Sequence, residues 1–226
     1  MFDRLERLIG KDALTVLSNS TVLVVGLGGV GSYVIEGLVR SSIGHLILID
    51  FDKIDITNLN RQLMTDTTNV GKLKTEVLKE RAQKINPACK IDIINKKITH
   101  KDISALLDNK IDYVVDACDD LKVKLELIRC CKEKDIKIIS SMGMANKIDP
   151  SKIEIMDISK TSCDPLAKSI RHSLHQMGIN HVMVVCSKEV GKHSKILGST
   201  AFVPSVAGLT IASYIVRDLG GLNENK

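Results

Sequence analysis

The sequence predicts an α/β fold: a Rossmann-like, doubly wound and mainly parallel sheet that antiparallel strands extend in the C-terminal third. Two observations predict it. Short apolar, β-branched runs alternate with helix-patterned segments from residue 21 to residue 142, the spacing of parallel strands joined by crossover helices. The first of those runs, Thr21 to Val25, ends in Gly26-Leu27-Gly28-Gly29-Val30-Gly31, which turns a buried strand straight into a helix.

The elements follow in order. Phe2 to Leu17 is amphipathic, with Leu5, Leu8 and Ile9 on one side and arginines between them, and forms a helical arm over residues 1–20. After the glycines, Ser32 to Ser42 suits a helix. His45 to Asp50, Lys90 to Asn95, Asp112 to Cys118 and Lys137 to Met142 read as strands, with helices at Lys72 to Ile85 and Lys122 to Lys134. The pattern then changes. Lys152 to Ile158 alternates polar and apolar as a half-buried strand does, and Asp164 can cap a helix that has Pro165 in its first position. Val182 to Ser187 is a further strand, residues 187–199 a polar loop with Lys188, Lys192, His193 and Lys195, and Phe202 to Leu219 a closing helix. With 226 residues and no internal repeat, the expectation is a single domain over 1–226.

Composition narrows the function classes. Apolar residues make up 44% and charged residues 26%, which disfavours disorder and fibrous architectures. Six cysteines without a C-x-x-C pair offer neither a zinc nor a dithiol motif and suit a reducing compartment. Met1 to Asn19 has no apolar signal core and no run approaches a membrane span, so the expected location is cytoplasmic, away from membranes. A net charge of +5 suits a polyanionic partner, while 3% aromatics supply little stacking surface for bases.

Gly26, Gly28 and Gly31 fit G-x-G-x-x-G, whose helix start aims free N–H groups at an anion. Asp50 follows about 20 residues later, where a carboxylate bonds ribose hydroxyls. To this point a nicotinamide-dependent oxidoreductase fits equally well. Arg61, in the polar loop Asn58-Leu59-Asn60-Arg61-Gln62, and Lys74 near the next helix start favour a triphosphate losing pyrophosphate, because fixed cations stabilise charge that grows in the transition state. Asp116-Ala117-Cys118-Asp119-Asp120 closes a strand at the carboxyl edge of the sheet. Asp120 suits a helix N-cap and Asp119 a magnesium ligand. Cys163 lies at a helix start and Cys186 in an apolar strand, the second a core residue. His172 and His175, beside Arg171, offer an RNA-contacting or solvated face.

Gly26-x-Gly28-Gly29-Val30-Gly31-Ser32, Asp50-x-Asp52, Asn58-x-x-Arg61-Gln62, Gly71-x-x-Lys74 and Asp116-x-x-Asp119 together resemble the signature of the ubiquitin-activating-enzyme-like adenylyltransferases. The resemblance implies a carboxylate activated as an acyl adenylate by ATP. It puts the glycines, Asp50, Asp52, Asn58, Arg61, Gln62 and Lys74 around the nucleotide and Asp119 near magnesium and the attacked phosphorus. Arg7 matches an arginine that, in such enzymes, reaches the phosphates of a partner protomer, which implies a homodimer.

Phe2-x-Arg4-x-x-Arg7-Leu8-x-Gly10, Lys160-Thr161-x-x-Asp164-Pro165-Leu166-Ala167, Arg171, Ser187-x-Glu189, Leu197-Gly198-Ser199 and Phe202-Val203-Pro204 resemble the family of tRNA threonylcarbamoyladenosine dehydratases. That implies cyclisation, with loss of water, of threonylcarbamoyladenosine in tRNA. The nucleophile that closes the ring belongs to the substrate, so no enzyme cysteine is needed. The same resemblance implies a monovalent cation, sodium or potassium, and a crossover segment at 187–199; whether a sulfur-relay or redox protein partner assists is left open by the sequence. Three rivals stand beside it. A sulfur-carrier-protein activator would share the ATP pocket, but such enzymes usually carry two zinc-binding C-x-x-C pairs. A nicotinamide oxidoreductase and a non-catalytic nucleotide-binding scaffold would not release pyrophosphate.

Overall fold

The computed structural model describes residues 1–108, 110–192, 194 and 196–222. Seven strands form one sheet: β1 (Thr21–Val25), β2 (His45–Ile49), β3 (Lys90–Ile94), β4 (Tyr113–Asp116), β5 (Lys137–Ser141), β6 (Ile153–Asp157) and β7 (Met183–Ser187). Their order is β3-β2-β1-β4-β5-β7-β6, all parallel except the antiparallel β6–β7 pair. Order reverses between β1 and β4, and an open α/β sheet offers a ligand crevice at such a switch point. The doubly wound sheet with an antiparallel extension is therefore as the alternating pattern predicts.

Successive residues of β1 alternate between two cores. Val22 and Val24 face α3 (Gly31–Arg40), α4 (Lys74–Ile85) and α8 (Phe202–Leu219); Leu23 and Val25 face α5 (Ile103–Leu106), α6 (Leu121–Glu133) and α7 (Pro165–Gln176). A strand buried on both faces reads as a continuous apolar run, which is why 21–25 is so legible. Helices α3 and α8 approach closely through glycines: a Cβ on Gly37 would lie 2.6 Å from Ala212 Cβ, and one on Gly208 2.8 Å from Tyr33 Cβ.

Three features differ from the sequence reading. The N-terminal segment is two helices, α1 (Asp3–Ile9) and α2 (Lys11–Ser18), because Gly10 adopts φ +84° between them; α1 buries no residue. The four-residue α5, too short for its periodicity to register, precedes β4. Helix α8, 18 residues with mean hydropathy 1.2, has the length and composition of a membrane span, where no such run was expected. Its Val203, Ala207, Ile211 and Ile215 are buried in the core, which accounts for the apolar composition.

Candidate active site

The glycine turn is built by sterics. Gly26 has φ +88°, and a Cβ there would lie 2.6 Å from the Ala117 carbonyl oxygen, so the turn presses against the chain leaving β4. A Cβ on Gly31 would collide with the Gly26 carbonyl oxygen, fixing how closely α3 meets β1. Gly28 is different. A Cβ there would meet only Gln62 Nε2, at 3.9 Å, so no protein atom demands glycine and the open space beside it is room for a ligand. The N–H groups of Gly28, Gly29 and Gly31 have no partner among the described residues, the arrangement that receives a phosphate at a helix start.

This turn forms one wall of a cleft of about 650 Å³. Gly26, Gly28, Gly29, Asp50, Asp52, Asn58, Arg61, Gln62, Lys74 and Asp119 all line it, gathered from five separate stretches of the chain. Asp50, at the end of β2, accepts from Leu27 N at 2.7 Å and Asp52 N at 2.8 Å, so it braces the glycine turn while facing the cleft. Lys74 begins α4 and is 5% exposed; its Nζ donates to Asp52 Oδ2 at 2.8 Å, leaving two protons without a partner among the described residues. Arg61 uses Nη1 on Thr57 O at 2.8 Å and Asn60 Oδ1 at 2.9 Å, which holds the guanidinium in place with Nη2 free among the described residues. Asn58 closes a capping box with Asp55. Gln62 is buried, and its Oε1 has no donor among the described residues.

Asp119 follows β4 and is exposed in the cleft, with no hydrogen bond or ion pair among the described residues. Asp120 caps α6, accepting from Lys122 N and Val123 N, as its position suggested. No cluster of three His, Cys, Asp or Glu side chains stands among the described residues. One carboxylate beside a phosphate cradle suits magnesium, which takes one or two protein carboxylates and completes its shell with phosphates and water. The partnerless amides, the two fixed cations and the orphaned Gln62 oxygen, which calls for a hydrogen-bond donor, fit a nucleoside triphosphate. Gly31 lies behind the cleft wall, and Arg7 is exposed on α1, outside the cleft of its own chain.

Several groups here went unread in the sequence. Ile49, Phe51, Ile98 and Val123 give the cleft an apolar side, and Lys97 Nζ stands 5.3 Å from the centre of the Phe51 ring. Beneath it, Lys124 and Asp116 are both 0% exposed and paired at 2.9 Å. A helical reading could have found Lys124, since it shares α6's buried face with Val123, Leu127, Ile128 and Cys131. Cys118 donates to Asp116 Oδ1 at 3.1 Å, and burial together with the Asp116 charge pushes its thiol well above the usual range.

The C-terminal positions singled out by resemblance hold the frame. Asp164 caps α7 at Ala167 N (2.8 Å) and pairs with buried Lys147 at 2.9 Å, while Arg171 donates to Thr161 O at 2.9 Å. Glu189 accepts from Ile148 N and Asp149 N. Gly198 N donates to Asn146 Oδ1 at 2.6 Å and Asn60 Nδ2 to Ser199 O at 3.0 Å, so the segment after β7 runs back toward the Arg61 loop. Pro204 meets Gly29, with 3.0 Å to a Cβ built there. His193 and Lys195 lie outside the described residues. His172 and His175 are exposed, and Cys186 is a core residue whose thiol burial pushes up to about 11.

Compared with models of known protein families, the chain matches that of the ThiF family over residues 2–226. The chain belongs to the ThiF family. It is 43% identical to the tRNA threonylcarbamoyladenosine dehydratase of Bacillus subtilis, an alignment covering 96% of this chain and 94% of that protein. Its fold is similar to that of the E. coli tRNA N6-threonylcarbamoyladenosine dehydratase solved in complex with ATP, with TM-score 0.93, 32% identity and coverage of 98% and 94%. The E. coli structure in complex with AMP gives TM-score 0.91 at 32% identity, covering 96% of this chain and 93% of that one. Within the ThiF family the chain groups with these dehydratases.

Proposed function

We infer that this chain is an ATP-dependent tRNA threonylcarbamoyladenosine dehydratase, a single adenylyltransferase domain over 1–226 with a helical arm at 1–20 and a crossover loop at 187–199. One observation carries the reading: the glycine turn, Asp50, Arg61, Lys74 and Asp119 meet in one cleft, in a chain alike over almost its whole length to a named dehydratase. The threonyl carboxylate of the modified adenosine attacks the α-phosphorus of ATP, and the bond to pyrophosphate breaks. Ring closure within the substrate then displaces AMP from the acyl adenylate, and the net loss is water.

The geometry supports a part for each residue. The partnerless amides of Gly28 and Gly29 cradle phosphate, with Gly26 shaping the turn and Gly31 the start of α3 behind it. Asp50 faces the ribose, and Asn58 and Gln62 supply amide groups beside it. Lys74, oriented by Asp52, and Arg61, oriented by Thr57 and Asn60, meet the charge that grows on the departing pyrophosphate. Asp119 would hold magnesium, which when bound neutralises phosphate charge as the bond breaks. The same reading includes a monovalent cation, sodium or potassium, a cytoplasmic location without membrane association, and a sulfur-relay or redox protein as a further partner.

The deciding experiment measures ATP cleavage to AMP with tRNA that bears, or lacks, the threonylcarbamoyl group. AMP should form only with the modified tRNA. Equal rates on both, or turnover with a diglycine-ended carrier protein alone, would overturn the assignment.

The enzyme acts as a homodimer in which Arg7 enters the partner's cleft. Support comes from its exposure outside its own cleft and from Leu5, Leu8 and Leu209, which line an apolar groove beside α1. Arg7→Ala and Asp119→Ala homodimers should each be nearly inactive. Their heterodimer has one site with both residues intact, so random co-assembly should restore roughly a quarter of wild-type activity. Verified heterodimers without recovery would place Arg7 outside the partner's site.

A further inference from the structure

A fully buried ion pair needs a reason, because an apolar pair of similar volume is often as stable or more so. The Lys124–Asp116 pair is saturated. Lys124 Nζ donates to Asp116 Oδ2 at 2.9 Å, to Ser141 O at 2.8 Å and to Ser140 Oγ at 3.3 Å, which uses all three protons. Ser140 Oγ donates to the same Asp116 oxygen at 2.5 Å. The other carboxylate oxygen, Oδ1, points along the chain and accepts from Cys118 N at 3.3 Å. That amide belongs to the residue just before Asp119.

The next link is the chain itself. Ala117 N donates to Val25 O at 2.8 Å, and the Ala117–Cys118 peptide lies against Gly26, with 2.7 Å from Cys118 N to a Cβ built there. The turn that carries Asp119 is therefore gripped by the glycine turn on one side and by Asp116 on the other. Asp119's own carboxylate has no partner among the described residues, so only its backbone decides where it stands. We propose that Lys124, acting through Asp116, is the positioning residue that sets the Asp119 carboxylate against the phosphate cradle. This rests on the role assigned to Asp119 above.

The variant that isolates the role replaces the network by apolar groups: Asp116→Leu, Lys124→Met and Ser140→Ala together, which leaves no orphaned charge. Five measurements follow: thermal melting, calorimetric binding of ATP without a divalent ion, binding of manganese to the protein–ATP complex, hydrogen exchange over residues 117–120, and turnover. A positioning role predicts a melt and an ATP affinity close to wild type, manganese binding weakened at least fivefold, faster exchange at the Cys118 and Asp119 amides, and turnover down at least tenfold. A folded triple variant with wild-type manganese affinity and wild-type exchange at those amides overturns the proposal. Should the triple variant fail to fold, Ser140→Ala alone must weaken manganese binding at least twofold with ATP affinity unchanged; wild-type manganese affinity in it is likewise fatal. Asp119→Ala, run in parallel, separates the two claims. If it too binds manganese normally, the error lies in the role given to Asp119.

Discussion

Two buried lysines serve the same cleft in opposite ways. Lys74, in its wall, spends one proton on Asp52, a carboxylate whose side chain is 48% exposed, and keeps two in reserve. Lys124, in its floor, spends all three inside the protein and never meets the cleft. Both are ammonium–carboxylate pairs at similar distance. The difference in saturation separates their purposes. A buried ammonium with protons to spare costs free energy until an anion supplies acceptors, so Lys74 favours a bound phosphate. A saturated one is closed to ligands and can only hold the chain in place.

The sharpest way to break this contrast is to remove each lysine singly. Lys124→Met strands Asp116 as an unpaired buried carboxylate and should cost about 3–5 kcal/mol of stability, read by denaturant titration. Lys74→Met leaves Asp52 in water, so its stability should change by less than about 1 kcal/mol while kcat/KM for ATP falls about a hundredfold. A large loss of stability in Lys74→Met, or a small one in Lys124→Met, would erase the distinction between wall and floor.

The same contrast explains what the sequence disclosed. Wall residues sit where motif and spacing speak: Gly26, Gly28 and Gly31 follow an apolar strand, Asp50 follows the next, and Asp119 sits at a strand end, so the cleft was legible almost residue by residue. The fold was legible because β1, β2 and β4 are buried on both faces and read as unbroken apolar runs. The floor carries a fainter mark, the place of Lys124 on the apolar face of α6. Lys147, paired with Asp164 in the C-terminal frame, carries none: it is a lysine in a chain with many exposed ones, and only its tertiary partner makes it internal. The kink at Gly10 was missed because amphipathic periodicity continues across it, and Phe51 because an exposed aromatic after a strand has no spacing rule.

A smaller effect sharpens the comparison within the glycine turn. Gly28→Ala should fold as wild type, since its Cβ meets only open cleft, yet weaken ATP binding about tenfold or more by crowding the phosphate. Gly31→Ala should instead lose stability, because its Cβ would strike the Gly26 carbonyl. Calorimetry and thermal melts on both variants check the pair. If Gly28→Ala binds ATP normally, the phosphate does not rest where the free amides point.

The smallest effect belongs to the cysteines. Cys118 lines the cleft, but its thiol is held protonated by burial and by the charge of Asp116, so it should resist alkylation by iodoacetamide up to about pH 9. Cys163 is exposed beside the α7 cap and should be modified first. Ring closure needs only an activated carboxylate and a substrate nitrogen held within reach, so Cys163→Ala should keep at least about half of wild-type turnover. Alkylated wild-type enzyme, with Cys163 blocked and Cys118 intact by peptide mapping, should match it. Collapse of both, or a thioester trapped on Cys163 and found by mass spectrometry, would mean that the acyl group passes through the enzyme before the ring closes, and Cys163 would then join the wall as a working residue.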